Sequence, residues 1–407
     1  MDPLVLTVFI VVYAGMILGE IPGLALDRSG IALLGAIVIL ASGRLTLEEA
    51  VVASDAHTLA LLFGLMVISA QFRLGGFYTE TVRRISANSG GTESLLLWVI
   101  IAAGALSSVL ANDIVCLAMA PMLVEVCARR QINPLPFLLA LACASNIGSA
   151  ATLIGNPQNM LIGESLDLSF AGYLLDGGPP AVIGLGVVWL VLRWQWRGRW
   201  TAVPADTSAR RFEPVPFDRW QTTKGVLLLT IVVGAFLFTS LPRDVIALTA
   251  AGVLLLSTRM ASREMVGLVD WHLLVLFGGL FVVNEAVERA GLLQSAYTWL
   301  TANGVNLMQP AWLFAVTPVL SNLVSNVPAV MLLLPTSSGP HDGAVLALAS
   351  TLAGNLLIVG SIANIIVVDQ AKAQGVAIDW RTHARAGIPV TLATLAIAAV
   401  WLWLRSL

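Results

Sequence analysis

A polar stretch interrupts an apolar segment that is long enough to cross a membrane. Residues 145–159 read Ser-Asn-Ile-Gly-Ser-Ala-Ala-Thr-Leu-Ile-Gly-Asn-Pro-Gln-Asn. Pro157 cannot donate a backbone hydrogen bond, and it disfavours a helical conformation at Asn156. In hydrocarbon each unsatisfied backbone group is costly, so a break at this depth survives only inside protein or beside water. The stretch therefore predicts a discontinuous helix whose freed amides and carbonyls can bind a small ion or polar solute.

The same stretch recurs in the second half of the chain. Residues 350–364 align with 145–159 at a constant offset of 205, which pairs Ser145 with Ser350 and Asn159 with Asn364. Just upstream, residues 320–335 align with 106–121 at an offset of 214. A weaker third pair matches Asp55, His57 and Phe63-Gly64 with Asp270, His272 and Phe277-Gly278. Three matches in the same order indicate an internal duplication.

The composition defines the environment of this duplicated chain. Hydrophobic residues make up 57% of it and charged residues only 11%, whereas a soluble domain carries about 25% charged residues. The chain is therefore predicted to be an all-α polytopic membrane protein. The sequence has no basic tail and no aromatic RNA-binding motif, so no nucleic-acid partner is expected. No nucleophile–base pair, phosphate-binding Gly-rich loop or metal-ligand spacing indicates an enzyme, a cofactor or a resident metal.

Hydrophobic runs and positive charge together predict the topology. The predicted spans are 4–20, 29–43, 56–72, 136–163 (broken) and 180–193 in the first half, and 225–241, 244–257, 271–288, 344–368 (broken) and 388–404 in the second. Residues 93–127 and 311–335 are each predicted to form a re-entrant hairpin. Under this topology 18 of the 22 Lys and Arg residues face the cytoplasm, and the chain is expected in the cytoplasmic (inner) membrane of a prokaryote.

Each half then contains about five spans and one hairpin, with the broken helices at the membrane midplane. An odd number of crossings gives the second copy the opposite orientation, as in inverted-topology repeats. The predicted organisation is an N-terminal repeat at 1–192, a cytoplasmic linker at 193–224 and a C-terminal repeat at 225–407.

The first hairpin carries an ionisable residue between its two apolar arms. Asp113 follows Asn112 at the predicted tip, and a charged group at the bilayer centre costs about 2.5–3.5 kcal/mol on insertion scales. Asp113 could bind a proton or Na⁺ and release it when a solute binds. Alternatively, its side chain only caps the second arm. The counterpart in the repeat is Val327, so one carboxylate is available for coupling.

The remaining candidates are polar or small residues at the second tip and in the broken spans. Ser325 and Asn326 precede Pro328, which favours a helix start whose N–H groups point into the cavity. The broken spans contribute Asn146, Thr152, Gly155, Asn159, Asn355, Gly360, Ser361 and Asn364. The alternative interpretation of the small residues is close helix packing.

These paired motifs, with Ala111-Asn-Asp113 upstream of the first, resemble the ion transporter superfamily over essentially the whole chain. The closest branch holds arsenite-efflux permeases (ArsB), sodium–proton antiporters (NhaD) and related anion permeases, and the dicarboxylate carriers are more distantly similar. The resemblance implies a transport domain of two hairpins and two broken helices, moving as an elevator in a homodimer. It implies ion and substrate contacts at Asn112, Asp113, Asn146, Gly148, Thr152, Asn159, Ser325, Asn326, Gly354, Asn355 and Asn364.

The tips depart from the dicarboxylate carriers, which have Ser-Asn-Thr at both. This departure puts paired sodium sites and carboxylate binding in doubt. The leading hypothesis is proton-coupled efflux of a small inorganic solute such as arsenite or antimonite, with Asp113 as the coupling group. The Asn, Ser and Thr residues supply hydrogen-bond partners for a neutral solute, and Asp113 disfavours a multiply charged anion. An arsenite pump would add a soluble ATPase as partner; otherwise the lipid bilayer and the solute are the expected partners. The alternatives are Na⁺/H⁺ antiport, with Na⁺ instead of H⁺ as coupling ion, uptake of an organic or inorganic anion, and a passive channel.

Overall fold

The computed structural model describes residues 2–19, 23–88, 90–201, 215–337, 339 and 341–406. These residues form α-helices, two short 3₁₀ turns at Leu334–Thr336 and Ile358–Gly360, and one isolated bridge between Ile132 and Thr201. The first ten helices are α1 Pro3–Leu18, α2 Arg28–Ala41, α3 Leu47–Ala53, α4 Ala56–Leu74, α5 Phe77–Asn88, α6 Thr92–Val109, α7 Asn112–Arg129, α8 Leu135–Ser149, α9 Pro157–Ser165 and α10 Phe170–Gln195. The next ten are α11 Arg219–Phe238, α12 Arg243–Leu255, α13 Ser262–Gly267, α14 Trp271–Arg289, α15 Leu292–Ala302, α16 Pro310–Val324, α17 Asn326–Leu333, α18 Asp342–Ala353, α19 Ile362–Ala373 and α20 Trp380–Arg405.

The all-helical membrane fold expected from the sequence is confirmed. Within the described ranges, α4, α6, α10, α11, α14 and α20 are long and apolar enough to cross a membrane. Helices α1, α2, α8, α16 and α18 are apolar but shorter. The sequence analysis did not predict α3, α5, α13 and α15, because polar or charged residues interrupt the apolar residues of these short helices.

Helix packing repeats between the two halves of the chain. Helix α2 packs on α14 and its counterpart α12 packs on α4, so each half contributes one helix to each of two equivalent contacts. At these contacts Gly64 lies against the backbone of Ala247, and Gly279 lies against the backbone of Ala32. The glycine equivalent to Gly64 is therefore Gly279. The sequence alignment that matched Gly64 with Gly278 was wrong by one residue, since a side chain at Gly278 would meet open space.

The ends of the helices lie on two opposite faces of the protein. The guanidinium of Arg130, after α7, donates to the carbonyl of Ser86 in the last turn of α5. Because α5 leads into α6, both arms of the first hairpin open to the same face. At that face Gln195 Nε2, at the end of α10, donates to the carbonyl of Arg385 near the start of α20 at 2.6 Å. We call it the linker face, because α10 ends and α11 begins there.

The second hairpin opens toward the opposite face. The hydroxyl of Tyr297 in α15 donates to the carbonyl of Leu332 near the end of α17, and α15 directly precedes the first arm, α16. The segment between α10 and α11 is shorter than the predicted linker at 193–224, and residues 202–214 of it lie outside the described residues.

Arginines on the opposite face are each paired with a carboxylate. These are the four cations that the sequence analysis left outside the cytoplasm. The pairs are Arg44–Asp2 at 2.6 Å, Arg243–Glu164 at 2.9 Å, Arg289–Glu285 at 2.6 Å and Arg405–Asp176 at 2.8 Å. Pairing lowers the exposed positive charge on this face, which agrees with the strong charge asymmetry of the sequence.

The close approach of α14 to α2 gives a matched test on neighbouring glycines. In Gly279→Ala the new Cβ would lie 2.6 Å from the carbonyl carbon of Ala32, so the two helices must separate. We expect a loss of about 1–3 kcal/mol, typical of overpacking, as a lower unfolding midpoint of the detergent-solubilised protein. Gly278→Ala adds its methyl group to open space and should be neutral or stabilising, because Ala favours helix. Equal effects of the two substitutions would contradict this packing.

Candidate functional site

Both predicted broken helices are interrupted at the polar stretches. Helix α8 ends at Ser149 and α9 begins at Pro157, while α18 ends at Ala353 and α19 begins at Ile362. The first break needs Gly155, since a Cβ there would lie 2.4 Å from the carbonyl oxygen of Ser149. The second break has no proline, and a Cβ at Gly360 would lie 2.5 Å from Asn322 Oδ1. Both glycines therefore shape the breaks through close contacts.

One asparagine closes each break by the same pair of hydrogen bonds. Asn159 Nδ2 donates to the carbonyls of Ser149 at 3.3 Å and Thr152 at 3.0 Å. Asn364 Nδ2 donates to the carbonyls of Gly354 at 2.7 Å and Leu357 at 3.1 Å. Each amide thus reaches back ten and seven residues to carbonyls at the break. Asn159 and Asn364 satisfy the backbone of the breaks, as burial in a membrane protein requires.

The side chain of Asn146 joins the first hairpin and first break to the second break. Its Nδ2 donates to Asn355 Oδ1 at 2.9 Å and to Asn364 Oδ1 at 3.1 Å. Its Oδ1 accepts from Ser361 Oγ at 2.9 Å and, at 3.4 Å, from Asn112 Nδ2. All five side chains are buried. The predicted residues Asn112, Asn146, Asn355, Ser361 and Asn364 therefore form one network.

Thr351, the repeat equivalent of Asn146, makes the reciprocal contacts. Its Oγ1 accepts from Asn156 Nδ2 at 3.2 Å and from Gln158 Nε2 at 3.1 Å, and donates to Asn159 Oδ1 at 3.2 Å. Asn156 and Asn159 are the repeat equivalents of Ser361 and Asn364. The sequence analysis missed Thr351, Asn156 and Gln158 as site residues, although the offset of 205 residues could have identified Thr351 from Asn146.

The second hairpin tip carries backbone strain and a satisfied amide. Ser325 has φ of +79° and ψ of 160°, a conformation that is rarely adopted by residues other than glycine. The neighbouring Asn326 satisfies both amide atoms when Nδ2 donates to the carbonyl of Gly360 at 3.1 Å and Oδ1 accepts from Gln158 Nε2 at 3.2 Å. Gly354 lies against this amide, since a Cβ there would be 3.3 Å from an atom of the Asn326 side-chain amide. The second tip therefore sits directly against both breaks.

Two predicted residues lie away from the network. Gly148 allows α8 to contact α6, because a Cβ there would be 2.2 Å from the carbonyl oxygen of Gly104. The hydroxyl of Thr152 donates to the carbonyl of Ser108 and accepts from the backbone N–H of Ile154. In this structure both residues hold the first break against the first hairpin, and neither contacts the Asn146 side chain.

Asp113 is half-buried in the first turn of α7, at the tip of the first hairpin. Its carboxylate makes no hydrogen bond or ion pair to any group in the part of the chain that the structure describes, and α7 has no side-chain cap. Capping therefore does not explain this carboxylate. Nearby, Asn112 Oδ1 and Asn355 Nδ2 are buried polar atoms without a described partner. Buried groups of this kind are usually satisfied by a ligand, ion or water.

Asp113 lines two cavities. The smaller one, about 30 Å³, is bounded by Asn112, Ser325 and Asn326 together with Gln158 and Ser361. It has room for an ion, a water molecule or a small solute. The larger one, about 360 Å³, is bounded by α4, α7, α9 and residues 267–273, and reaches Arg73, Asp270 and His272 at the linker-face ends of α4 and α14. Asp113 thus stands between a small polar pocket and a route to the linker face.

Two hairpins and two broken helices that meet at a buried polar centre define a membrane transporter rather than an enzyme. The comparisons agree. Residues 8–353 match the model of the citrate transporter family, CitMHS, and the chain belongs to this family, within the ion transporter superfamily. It is 30% identical to the inner membrane protein YbiR of Escherichia coli, covering 81% of this chain and 83% of that protein.

Further relatives are similar over almost their whole length. The 46 kDa membrane protein of Mycobacterium leprae is 29% identical, with 100% of this chain and 99% of that protein covered. The silicon efflux transporter LSI3 of Oryza sativa is 27% identical, with 93% of each chain covered. The YdaH transporter of Alcanivorax borkumensis has the same fold, with a TM-score of 0.58 and 17% identity over 98% of this chain and 96% of that one. None of these matches singles out the arsenite-permease branch.

The closed breaks give a test that separates structural from ligand-binding asparagines. Asn364→Ala removes two donors to buried carbonyls, so we expect a loss of about 2–4 kcal/mol in stability, seen as a lower unfolding midpoint. Asn112→Ala removes one long hydrogen bond and an unpartnered oxygen, and should change stability by less than about 1 kcal/mol while reducing transport. Equal destabilisation by the two substitutions would contradict these roles.

Proposed function

We propose that this protein exports a small, neutral, polyhydroxylated inorganic solute in exchange for protons. Trihydroxy arsenic and antimony, the species of arsenite and antimonite at neutral pH, and tetrahydroxy silicon are of this class. The observation that carries the proposal is the unpartnered carboxylate of Asp113 between a small amide- and hydroxyl-lined pocket and the cavity toward the linker face.

The polar groups at the pocket suit a neutral solute. Asn112, Gln158, Ser325, Asn326 and Ser361 supply donors and acceptors, and the pocket lining contains no Lys or Arg. Hydroxyl groups of the solute can donate to Asn112 Oδ1 and accept from Asn355 Nδ2, if the network opens to admit the solute. A multiply charged anion would be repelled by Asp113 unless this carboxylate were protonated.

The carboxylate of Asp113 couples solute transport to proton transport. A protonated Asp113 is neutral and can cross the membrane with its hairpin at little electrostatic cost, whereas an ionised carboxylate without a partner is costly away from water. Solute that enters from the linker face displaces the proton to that side, and its hydroxyl groups donate to the ionised carboxylate, so the solute-loaded tip can also cross. Solute and proton therefore occupy the tip in alternation. The hairpin tips face the two sides of the membrane in turn, so solute leaves in exchange for a proton. Asp113 is the only coupling group that this exchange requires.

The orientation and the relatives support this assignment. We assign the protein to the cytoplasmic membrane with the linker face inside, because 18 of 22 cations then face the cytoplasm and YbiR is named an inner membrane protein. One full-length relative is named a silicon efflux transporter. A homodimer with an elevator motion is part of the same proposal, and ATP-dependent flux would instead require a soluble ATPase partner.

The second candidate is transport of citrate or another carboxylate anion. It rests on the family description and on Arg73, whose guanidinium has no ion pair among the described residues and lines the same cavity as Asp113. In this case the anion would enter from the linker face along Arg73. Na⁺/H⁺ antiport, with both cations competing for Asp113, is a third candidate on the same carboxylate.

The test is proton movement in proteoliposomes that carry an imposed pH gradient. Arsenite, silicate, citrate and Na⁺ are added separately to the wild-type protein and to Asp113→Asn. We expect arsenite or silicate to dissipate the gradient, and Asp113→Asn to reduce the response to the level of empty liposomes, because it cannot release a proton.

Asp270→Asn is the matched control for this measurement. Asp270 lines the same cavity but already accepts the backbone N–H of Leu273 at 3.0 Å as the cap of α14, a role that Asn can fill. Its variant should keep the response. A response to citrate or to Na⁺ alone would overturn the neutral-solute assignment in favour of the corresponding alternative, and an active Asp113→Asn would remove Asp113 from coupling.

A further inference from the structure

A groove on the linker face lies between the end of α10 and the start of α20. It has a volume of about 260 Å³ and is lined by Trp194, Gln195, Trp196, Arg199, Thr382 and Arg385. The two helix ends are joined by the hydrogen bond from Gln195 Nε2 to the carbonyl of Arg385. The residues that line the groove include none at the hairpin tips or in the breaks, and the transport mechanism does not use the groove.

The groove carries two guanidinium groups without an ion pair among the described residues, those of Arg199 and Arg385. The described residues that line the groove include no carboxylate. The guanidinium of Arg199 donates to the carbonyl of Gln195 and lies 5.8 Å from the ring of Trp196. The arginines of the opposite face, in contrast, are each paired. Two guanidinium groups at one groove, each without a described ion pair, can bind a phosphate.

The carboxylate of Asp379, which lies close to the groove in sequence, forms hydrogen bonds at the start of α20. Asp379 precedes α20, and its side chain accepts the backbone N–H of Thr382 at 2.8 Å. Hydrogen bonds from Thr382 hold the pKa of Asp379 below its usual value, and the nearby charges of Arg381 and Arg385 act in the same direction. Asp379 therefore stays ionised and offsets part of the local charge, but it lies outside the groove lining.

The surroundings of the groove indicate a lipid as the source of the phosphate. Trp194 and Trp380 have 77% and 67% of their surface exposed, and both stand at the linker-face ends of long apolar helices. Exposed tryptophans at such ends are typical of the membrane–water interface. Arg381 lies 5.3 Å from the ring of Trp380, which keeps a further cation at the same level. A phosphate at this depth belongs to a headgroup rather than to free solution.

We propose that the groove between α10 and α20 binds the headgroup phosphate of an anionic phospholipid through Arg199 and Arg385. Basic pockets between membrane helices on the cytoplasmic side bind such headgroups. The bound lipid would hold the start of α20, where His383 Nε2 contacts the carbonyl of Asn355 at the second break at 3.1 Å. The lipid site and the transport site are thus linked by one turn of helix.

The experiment measures lipid binding by native mass spectrometry of the full-length protein in neutral detergent. Phosphatidylglycerol, cardiolipin and phosphatidylcholine with matched acyl chains are compared, and inorganic phosphate is added as a competitor. The variants are the double substitution Arg199→Gln with Arg385→Gln, and the control Arg263→Gln, an exposed arginine in the first turn of α13 at the same face. Elution volume and unfolding midpoint without lipid verify that each variant folds.

We expect phosphatidylglycerol or cardiolipin to bind more tightly than phosphatidylcholine. The double variant should weaken that binding about tenfold or more, and Arg263→Gln should leave it unchanged. Equal binding of anionic and neutral lipids by the wild-type protein would overturn the proposal, even if the double variant fails to fold. It would also be overturned by unchanged binding in a folded double variant. Displacement of the lipid by millimolar inorganic phosphate would make the groove a phosphate site instead.

Discussion

The whole structure depends on satisfying backbone polar groups where two helices break inside the membrane. Each break frees carbonyls that hydrocarbon cannot solvate, and one asparagine amide in each half, Asn159 or Asn364, donates to two of them. Those amides are in turn fixed by residues of the other half, through Thr351 and Asn146. The two halves therefore stabilise each other's breaks, and neither break is complete on its own. This reciprocity explains why the polar centre is buried although it consists mostly of amides and hydroxyls.

The duplication is symmetric in packing but not in charge. Helices α2 and α12 pack on α14 and α4 through equivalent glycine contacts, and both tips carry an asparagine. Only the first tip adds a carboxylate, since Asp113 is replaced by Val327 in the repeat. The second tip instead carries the unusual backbone conformation of Ser325. One half thus supplies the ionisable group, and the other completes the pocket with neutral groups. A transporter built in this way can couple one charge to a solute without placing two carboxylates side by side.

Charge is also divided between the two faces of the protein. Arginines on the opposite face are paired with carboxylates. On the linker face, the guanidinium groups at the groove between α10 and α20, and that of Arg73 in the cavity below Asp113, have no ion pair within the described ranges. The same asymmetry that orients the chain in the membrane therefore leaves cations available for anions on one side only. Membrane lipids and transported solutes approach these cations from different directions, because the groove opens at the helix ends and the cavity leads inward.

The sequence alone determined the spans, the two breaks and the duplication, because hydrophobic length, proline and a constant offset are local or periodic signals. It also identified Asp113 and most of the asparagines, since polar residues at membrane depth are rare and costly. Only the tertiary structure decided that Asn159 and Asn364 close the breaks, that Gly148 serves helix packing, and that Gly279 rather than Gly278 contacts α2. It also showed that Thr351 belongs to the polar network and that α3, α5, α13 and α15 are helices. The physical reason is twofold. An apolar helix is apolar on all sides, so its sequence does not show which side packs against a neighbouring helix. The hydrogen-bond partners of a buried amide lie about 200 residues away in the chain.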